Sequence, residues 1–159
     1  MILRVMIVED EDMIRNGLVK TLPWADMGCT VIGSAGDGKS GLEQIIERRP
    51  DVVITDIRMP EMDGFEMLER ALTVYRFHII IFTSYAEFDY AQKAISIHAY
   101  DYLLKPLDEK RLAELLARIR ETEEPQEQLE TPGSFSAEEL LKRLAYTDEY
   151  VETALRERP

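Results

Sequence analysis

At 159 residues with 45% apolar content, the chain is long enough for one packed domain and an appendage. A net charge of -12 argues against nucleic-acid binding by this chain alone, because such binding rests on Lys and Arg neutralising phosphates. The one cysteine, Cys29, excludes an internal disulfide and a cysteine zinc cluster, and no apolar run nears the ~18 residues of a membrane span.

The opening Met1-Ile2-Leu3-Arg4-Val5 reads as the approach to a first strand and carries no small-residue cleavage site, so a cytoplasmic protein is expected. Short apolar runs then alternate with helical patterns. Val5–Val8, Val31–Ser34, Val52–Thr55, Ile79–Phe82 and Tyr100–Leu103 are predicted strands. Several are apolar on both faces, as in a parallel sheet covered on both sides. Helical stripes fall between and after them: Ile14, Leu18 and Leu22; Leu42, Ile45 and Ile46; Phe65, Leu68 and Leu72; Phe88, Ala91, Ala94 and Ile95; and Leu112, Leu115, Leu116 and Ile119. Asp63 with Glu66 three positions on resembles a capping box, and Asp108 is a candidate cap for the helix after Pro106. Repeated strand-then-helix units with short connections predict an α/β fold, a doubly wound five-stranded parallel sheet.

Residues 1–121 form this domain. Residues 122–135, with Pro125, Pro132, Gly133 and many Glu and Gln, read as a linker. Residues 136–159 read as an extra, acidic C-terminal helix. Ser136 and Glu139 match a capping box, and Leu140, Leu144, Val151 and Leu155 supply an apolar stripe. From residue 121 onward there are eleven acids and four bases, so the tail holds no basic recognition helix.

In a doubly wound sheet the functional site lies at the carboxyl ends of the strands. Four predicted strand ends carry polar residues there: Glu9-Asp10, Asp56, Thr83-Ser84 and Lys105-Pro106. Crowded carboxylates need a cation, and oxygen-only ligands suit a hard ion such as Mg²⁺. Asp56 is the candidate nucleophile, since a carboxylate attacking a phosphoryl group makes an acyl phosphate. Lys105 and the metal would offset charge on the transferring oxygens, and the Thr83 hydroxyl would donate to one of them. Any one of these residues alone is more often a cap or a solvated surface group. Their convergence on one sheet edge outweighs that reading.

The stretches Val8-Glu9-Asp10-Glu11, Thr55-Asp56-Ile57-Arg58-Met59-Pro60 with Met62-Asp63-Gly64, Phe82-Thr83-Ser84, and Asp101-Tyr102-Leu103-Leu104-Lys105-Pro106 resemble the response-regulator receiver domains of two-component systems. The resemblance runs in order through residues 1–121. It implies the flavodoxin-like receiver fold, with Asp56 as phosphoacceptor. Asp10, Asp56 and the Arg58 backbone carbonyl would lie around Mg²⁺, with Glu9 acting through water. Thr83 and Lys105 would hold the phosphoryl group, and Thr83 with Tyr102 would form the switch. The implied donor is a sensor histidine kinase. The implied output face is the fourth helix, fifth strand and fifth helix, which also offers a homodimer surface. A narrower likeness, in Leu22-Pro23-Trp24, Met27-Gly28 and Phe88-Asp89-Tyr90-Ala91, is to receivers of AraC-type helix-turn-helix regulators. Their DNA-binding part lies outside this sequence, which implies transcription control through an absent output domain. The alternative is a stand-alone receiver acting by protein–protein contact.

An enzyme reading, a Mg²⁺-dependent aspartyl phosphohydrolase, is weaker, because Ile57-Arg58 stands where that class carries a second acid. Two departures from the usual receiver pattern are notable. His98 stands where a glycine is common. Arg58 and Tyr85, each two residues past a site residue, are large enough to flank the path of attacking water, so the phosphorylated form is expected to hydrolyse slowly.

Overall fold

The computed structural model describes residues 1–122, so the predicted helix over 136–159, and all of the linker but Thr122, lie outside the described residues. The chain alternates strand and helix: β1 (Leu3–Val8), α1 (Asp12–Thr21), β2 (Cys29–Ala35), α2 (Gly38–Arg48), β3 (Val52–Thr55), α3 (Gly64–Leu72), β4 (His78–Thr83), α4 (Phe88–Ser96), β5 (Asp101–Leu104) and α5 (Glu109–Arg120). The five strands are parallel, in the order β2-β1-β3-β4-β5.

Side chains alternate across the strands and feed two cores. Met6, Val8, Val53, Ile79 and Ile81 pack with Ile45 of α2, with Phe65, Met67 and Leu68 of α3, and with Ala91 and Ala94 of α4. On the opposite face Leu3, Val5, Ile7, Ile80 and Phe82 meet Leu18 of α1 and Leu112, Leu115, Leu116 and Ile119 of α5. Both faces are therefore dry, which is why the strands read as unbroken apolar runs.

β1 starts two residues earlier than the sequence suggests. Leu3 is fully buried and pairs in register with Cys29, while exposed Arg4 between Leu3 and Val5 hides the pattern. β2 is likewise longer at both ends, and β5 begins one residue later. Trp24 is a packing residue: it is buried, and its indole N–H donates to the Leu18 carbonyl at 2.8 Å.

Capping follows the predicted chemistry. The Asp63 carboxylate accepts from the Glu66 amide at 2.8 Å, and that of Asp108 from the Arg111 amide at 3.2 Å. His98 has φ 58, in the left-handed region that favours glycine. Its amide donates to Ile95 and that of Ala99 to Ala94, which closes α4 and satisfies its last carbonyls.

At the opposite end of the sheet from the strand-end acids, His78 opens β4 and is 6% exposed. Its ring stands edge-on to Tyr100, and among the described residues its Nδ1 has no hydrogen-bond partner. Burial lowers the imidazole pKa from its ordinary value of 6.5, and nearby Asp51 opposes this only in part. The folded state therefore binds the proton less readily than the unfolded chain. His78 contributes stability that is complete above about pH 6.5 and is lost as pH falls through the depressed folded value. In urea titrations at pH 7.5 and 5.5, His78→Phe is expected to lose less stability on acidification than the wild type. Equal losses in the two proteins would contradict this account of His78.

Candidate functional site

β1 lies between β2 and β3, so the order of connection reverses there and opens a crevice at the carboxyl ends of the strands. β1 runs straight into Glu9, whose amide donates to Ala35 at the end of β2. β3 runs into Asp56, whose amide donates to Val8 of β1 at 3.0 Å. β4 ends on Thr83, whose carbonyl accepts the Lys105 amide just past β5 at 2.8 Å. Backbone pairing alone thus fixes four site residues relative to one another.

The side chains converge. The Lys105 ammonium donates to Glu9 Oε1 at 2.5 Å and to Asp56 Oδ2 at 2.8 Å. Glu9 is 1% exposed and Asp56 6%, so both carboxylates sit in a poorly solvated place. The second oxygen of Asp56 accepts from the Ile57 amide at 2.6 Å, and the second oxygen of Glu9 from the Glu11 amide at 3.3 Å. Carboxylate oxygens of Glu9, Asp10 and Asp56 all lie within 4.8 Å of one another. Among the described residues this is the cluster able to hold a metal ion, and its donors are all oxygen.

The electrostatics follow from burial. Desolvation pushes the Glu9 carboxyl up to about 7. The hydrogen bond from Lys105 opposes the rise, and the neighbouring Asp56 charge adds to it. Burial works against the Lys105 ammonium as well, but its hydrogen bonds to Asp56 and Glu9 outweigh that and hold its pKa above the usual lysine value. Asp10 adds its carboxylate beside this pair, and the all-oxygen cluster offers ligands suited to a hard cation.

Thr83 is fully buried at the end of β4, and its hydroxyl oxygen accepts from the Tyr85 amide at 3.4 Å. Tyr102 is turned inward, 1% exposed, and its hydroxyl donates to the Tyr85 carbonyl. All of Glu9, Asp10, Asp56, Thr83 and Lys105 lie at one end of the sheet. Arg58 follows Asp56 in the same loop, and its side chain turns toward α4.

Three contributors carry no assigned role in the sequence reading, although Gly64 and Tyr90 lie within the residue runs that carry the resemblance. Gly64, at the start of α3, lies against the Asp56 backbone, and no spacing rule signals it. Glu87 and Tyr90 engage the Arg58 side chain from the α4 side; they look like ordinary helix-start and helix-face residues.

A sequence model of the response regulator receiver domain matches residues 5–117, well over half of the chain. The chain belongs to the response-regulator receiver family. Receivers of this family are the signalling domains of two-component response regulators and not dedicated enzymes, which sets aside the phosphohydrolase alternative. This receiver is 36% identical over 151 residues to the transcriptional regulatory protein HptR of Staphylococcus aureus, a match covering 93% of the chain and 60% of HptR. It is also 36% identical over 154 residues to a response regulatory protein of Staphylococcus epidermidis, covering 96% of the chain and 61% of that protein. The chain thus spans about six tenths of the length of these relatives.

Among solved structures, it resembles the receiver domain of AraT, a response regulator from Geobacillus stearothermophilus. The identity is 39% and the TM-score 0.69, over 76% of this chain and 95% of that one. It also resembles a DNA-binding response regulator of the LuxR family from Staphylococcus aureus, at 28% identity and TM-score 0.66, over 74% of this chain and 98% of that one. No helix among the described residues is long and apolar enough to cross a membrane.

Proposed function

We propose that this receiver accepts a phosphoryl group on Asp56 and uses it to change which partners it binds. The observation that carries the reading is the part-buried Lys105 ammonium held between the buried Glu9 and Asp56 carboxylates beside Asp10. In the reaction a carboxylate oxygen of Asp56 forms a bond to phosphorus as the bond from phosphorus to the donor nitrogen breaks. The donor is a phosphohistidine on a sensor histidine kinase.

Asp10, Asp56 and the Arg58 carbonyl would hold Mg²⁺, with Glu9 contributing through water. The all-oxygen donor set suits such an ion. Bound there, Mg²⁺ supplies charge neutralisation to the transferring oxygens. Lys105 moves from its carboxylate partners to the arriving phosphoryl oxygens, and the Thr83 hydroxyl donates to another.

Thr83 and Tyr102 then act as the switch, biasing two states of the face made by α4, β5 and α5. That face also serves a homodimer. The output is transcription control, carried by a domain outside this chain that is joined through residues 122–135 and the acidic segment 136–159. The residue runs quoted above favour an AraC-type helix-turn-helix output, and the length of the relatives leaves room for one. The protein acts in the cytoplasm and contacts DNA only through that output domain.

The test is intact mass after incubation with acetyl phosphate, with and without Mg²⁺, beside Asp56→Asn. The expected result is one phosphoryl adduct that needs both Mg²⁺ and Asp56. A folded protein that takes no adduct under any of these conditions would overturn the reading in favour of a phosphate-independent interaction module.

A further inference from the structure

Of the three clustered carboxylates, Asp10 is held least. Glu9 and Asp56 each take a hydrogen bond from Lys105 and a second from a backbone amide, that of Glu11 and of Ile57 respectively. The Asp10 carboxylate takes none from any described residue. Its direction therefore depends on the backbone that carries it. That backbone begins with the Glu9–Asp10 peptide, which is planar, so the direction of the Glu9 carbonyl fixes the plane from which Asp10 leaves.

The Glu9 backbone is tied at both ends. Its amide donates to the Ala35 carbonyl at 2.9 Å, and its carbonyl accepts from Arg15 Nη1 at 2.8 Å. Arg15 stands near the start of α1, where its other terminal nitrogen, Nη2, donates to the Asp12 carboxylate at 2.6 Å. The Arg15 side chain is 19% exposed and that of Asp12 79%, so the ion pair by itself contributes little. Its effect is to steady a planar fork whose other prong reaches the carbonyl.

The guanidinium has a seat because residue 36 is glycine. A Cβ on Gly36 would lie 2.6 Å from Arg15 Nη1 and 3.3 Å from its Cζ. Gly36 belongs to the loop between β2 and α2, so one arginine joins the loops that leave two neighbouring strands. Arg15 makes no ion pair with Glu9, Asp10 or Asp56. Unlike Lys105, it does not occupy the oxygens that a cation would use.

We propose that Arg15 is a positioning residue for the metal ion: seated against Gly36, it holds the Glu9–Asp10 peptide so that the Asp10 carboxylate stays within reach of Asp56. This rests on the function proposed above, in which Asp10 and Asp56 hold Mg²⁺. Arg15 touches neither the ion nor the phosphoryl group. Its removal leaves every donor in the chain and frees the one carboxylate that nothing else anchors.

The test is a Mg²⁺ titration of the full chain, followed by backbone-amide NMR shifts, with urea denaturation of each protein alongside. Arg15→Met is expected to fold and to bind Mg²⁺ about tenfold more weakly, the usual cost of losing a group that orients a metal ligand. Arg15→Lys keeps one donor for the carbonyl and is expected to fall between that variant and the wild type. Gly36→Ala leaves the arginine in the sequence and fills its seat, meeting only the far end of a flexible side chain. It is expected to weaken Mg²⁺ binding about threefold or more, and to add nothing when Arg15 is already methionine. Wild-type affinity in Arg15→Met would overturn the proposal, as would an equal effect of Gly36→Ala with and without Arg15. Should Arg15→Met fail to fold, Gly36→Ala decides: weakened binding supports the seat, and wild-type binding overturns it. A wild type with no Mg²⁺-dependent shift is a different failure, that of the metal site itself.

Discussion

Replacing Lys105 by methionine is expected to slow phosphoryl uptake at Asp56 about a hundredfold or more, the usual cost of losing one preorganised charged donor. Methionine keeps the length and the apolar stem and removes only the ammonium. The same variant is expected to bind Mg²⁺ at least as tightly as the wild type. The ammonium sits on Glu9 and Asp56, two of the three clustered carboxylates, and so competes with any cation for their oxygens. Loss of uptake together with retained or improved metal affinity separates a transition-state role from a structural one. Acetyl phosphate time courses followed by mass, and Mg²⁺ titrations by calorimetry, give the two readings. Uptake within about threefold of wild type would remove Lys105 from the reaction. Weaker Mg²⁺ binding would show that the ammonium organises the carboxylates and does not compete with the ion.

Gly64→Ala is expected to cost about 2–3 kcal/mol of stability and to impair phosphoryl uptake as well. A Cβ at this position would lie 2.1 Å from the Asp56 carbonyl oxygen and 3.2 Å from the Ile57 Cα. Both neighbours are backbone, so no side chain can swing aside. The Asp56 amide is held to Val8 and the Gly64 amide to Ile57, which leaves the peptide beside Asp56 little room to retreat. Any shift that relieves the clash moves the nucleophile itself. Gly17 supplies the control. It lies inside α1 with nothing within 4 Å of its would-be Cβ, so Gly17→Ala is expected to stabilise by about 0.5–1 kcal/mol. Chemical denaturation and adduct mass on the two variants check both statements. A tolerated Gly64→Ala would mean that the β3–α3 loop has slack not evident in its packing.

Much of this was open to reading before any coordinates, and the reason is the two-sided burial of a parallel sheet. Continuous apolar runs at Val52–Thr55 and Ile79–Phe82 admit few other interpretations, and polar residues that interrupt such runs stand out. Glu9, Asp56, Thr83 and Lys105 were visible for that reason, each at the end of a different buried strand. Helix starts at Asp63 and Asp108 were visible because capping is local chemistry.

What was hidden depends on contacts across the fold. Arg4 is a charged residue within β1 whose guanidinium reaches the carbonyls of Arg48 and Arg49, so the strand looked shorter than it is. Glu9 lies deeper than Asp10, directly on Lys105, a ranking that sequence order does not convey. Gly64 matters through a backbone from another element, and the partners of Arg58 are about thirty residues away. The side chains that position a site are drawn from all over the chain, and no periodicity marks them.

The ion pair between Lys105 and Glu9 spans a sequence separation of 96 residues, and that between Lys105 and Asp56 spans 49. No shorter segment contains the site. Closing such loops is entropically costly, and contacts of this range slow folding. Asp56 precedes Lys105 by 49 residues in the chain, and the lysine reaches the carboxylates only through the docking of β5 beside β4. The Lys105–Glu9–Asp56 cluster is therefore a property of the whole folded domain and of no part of it.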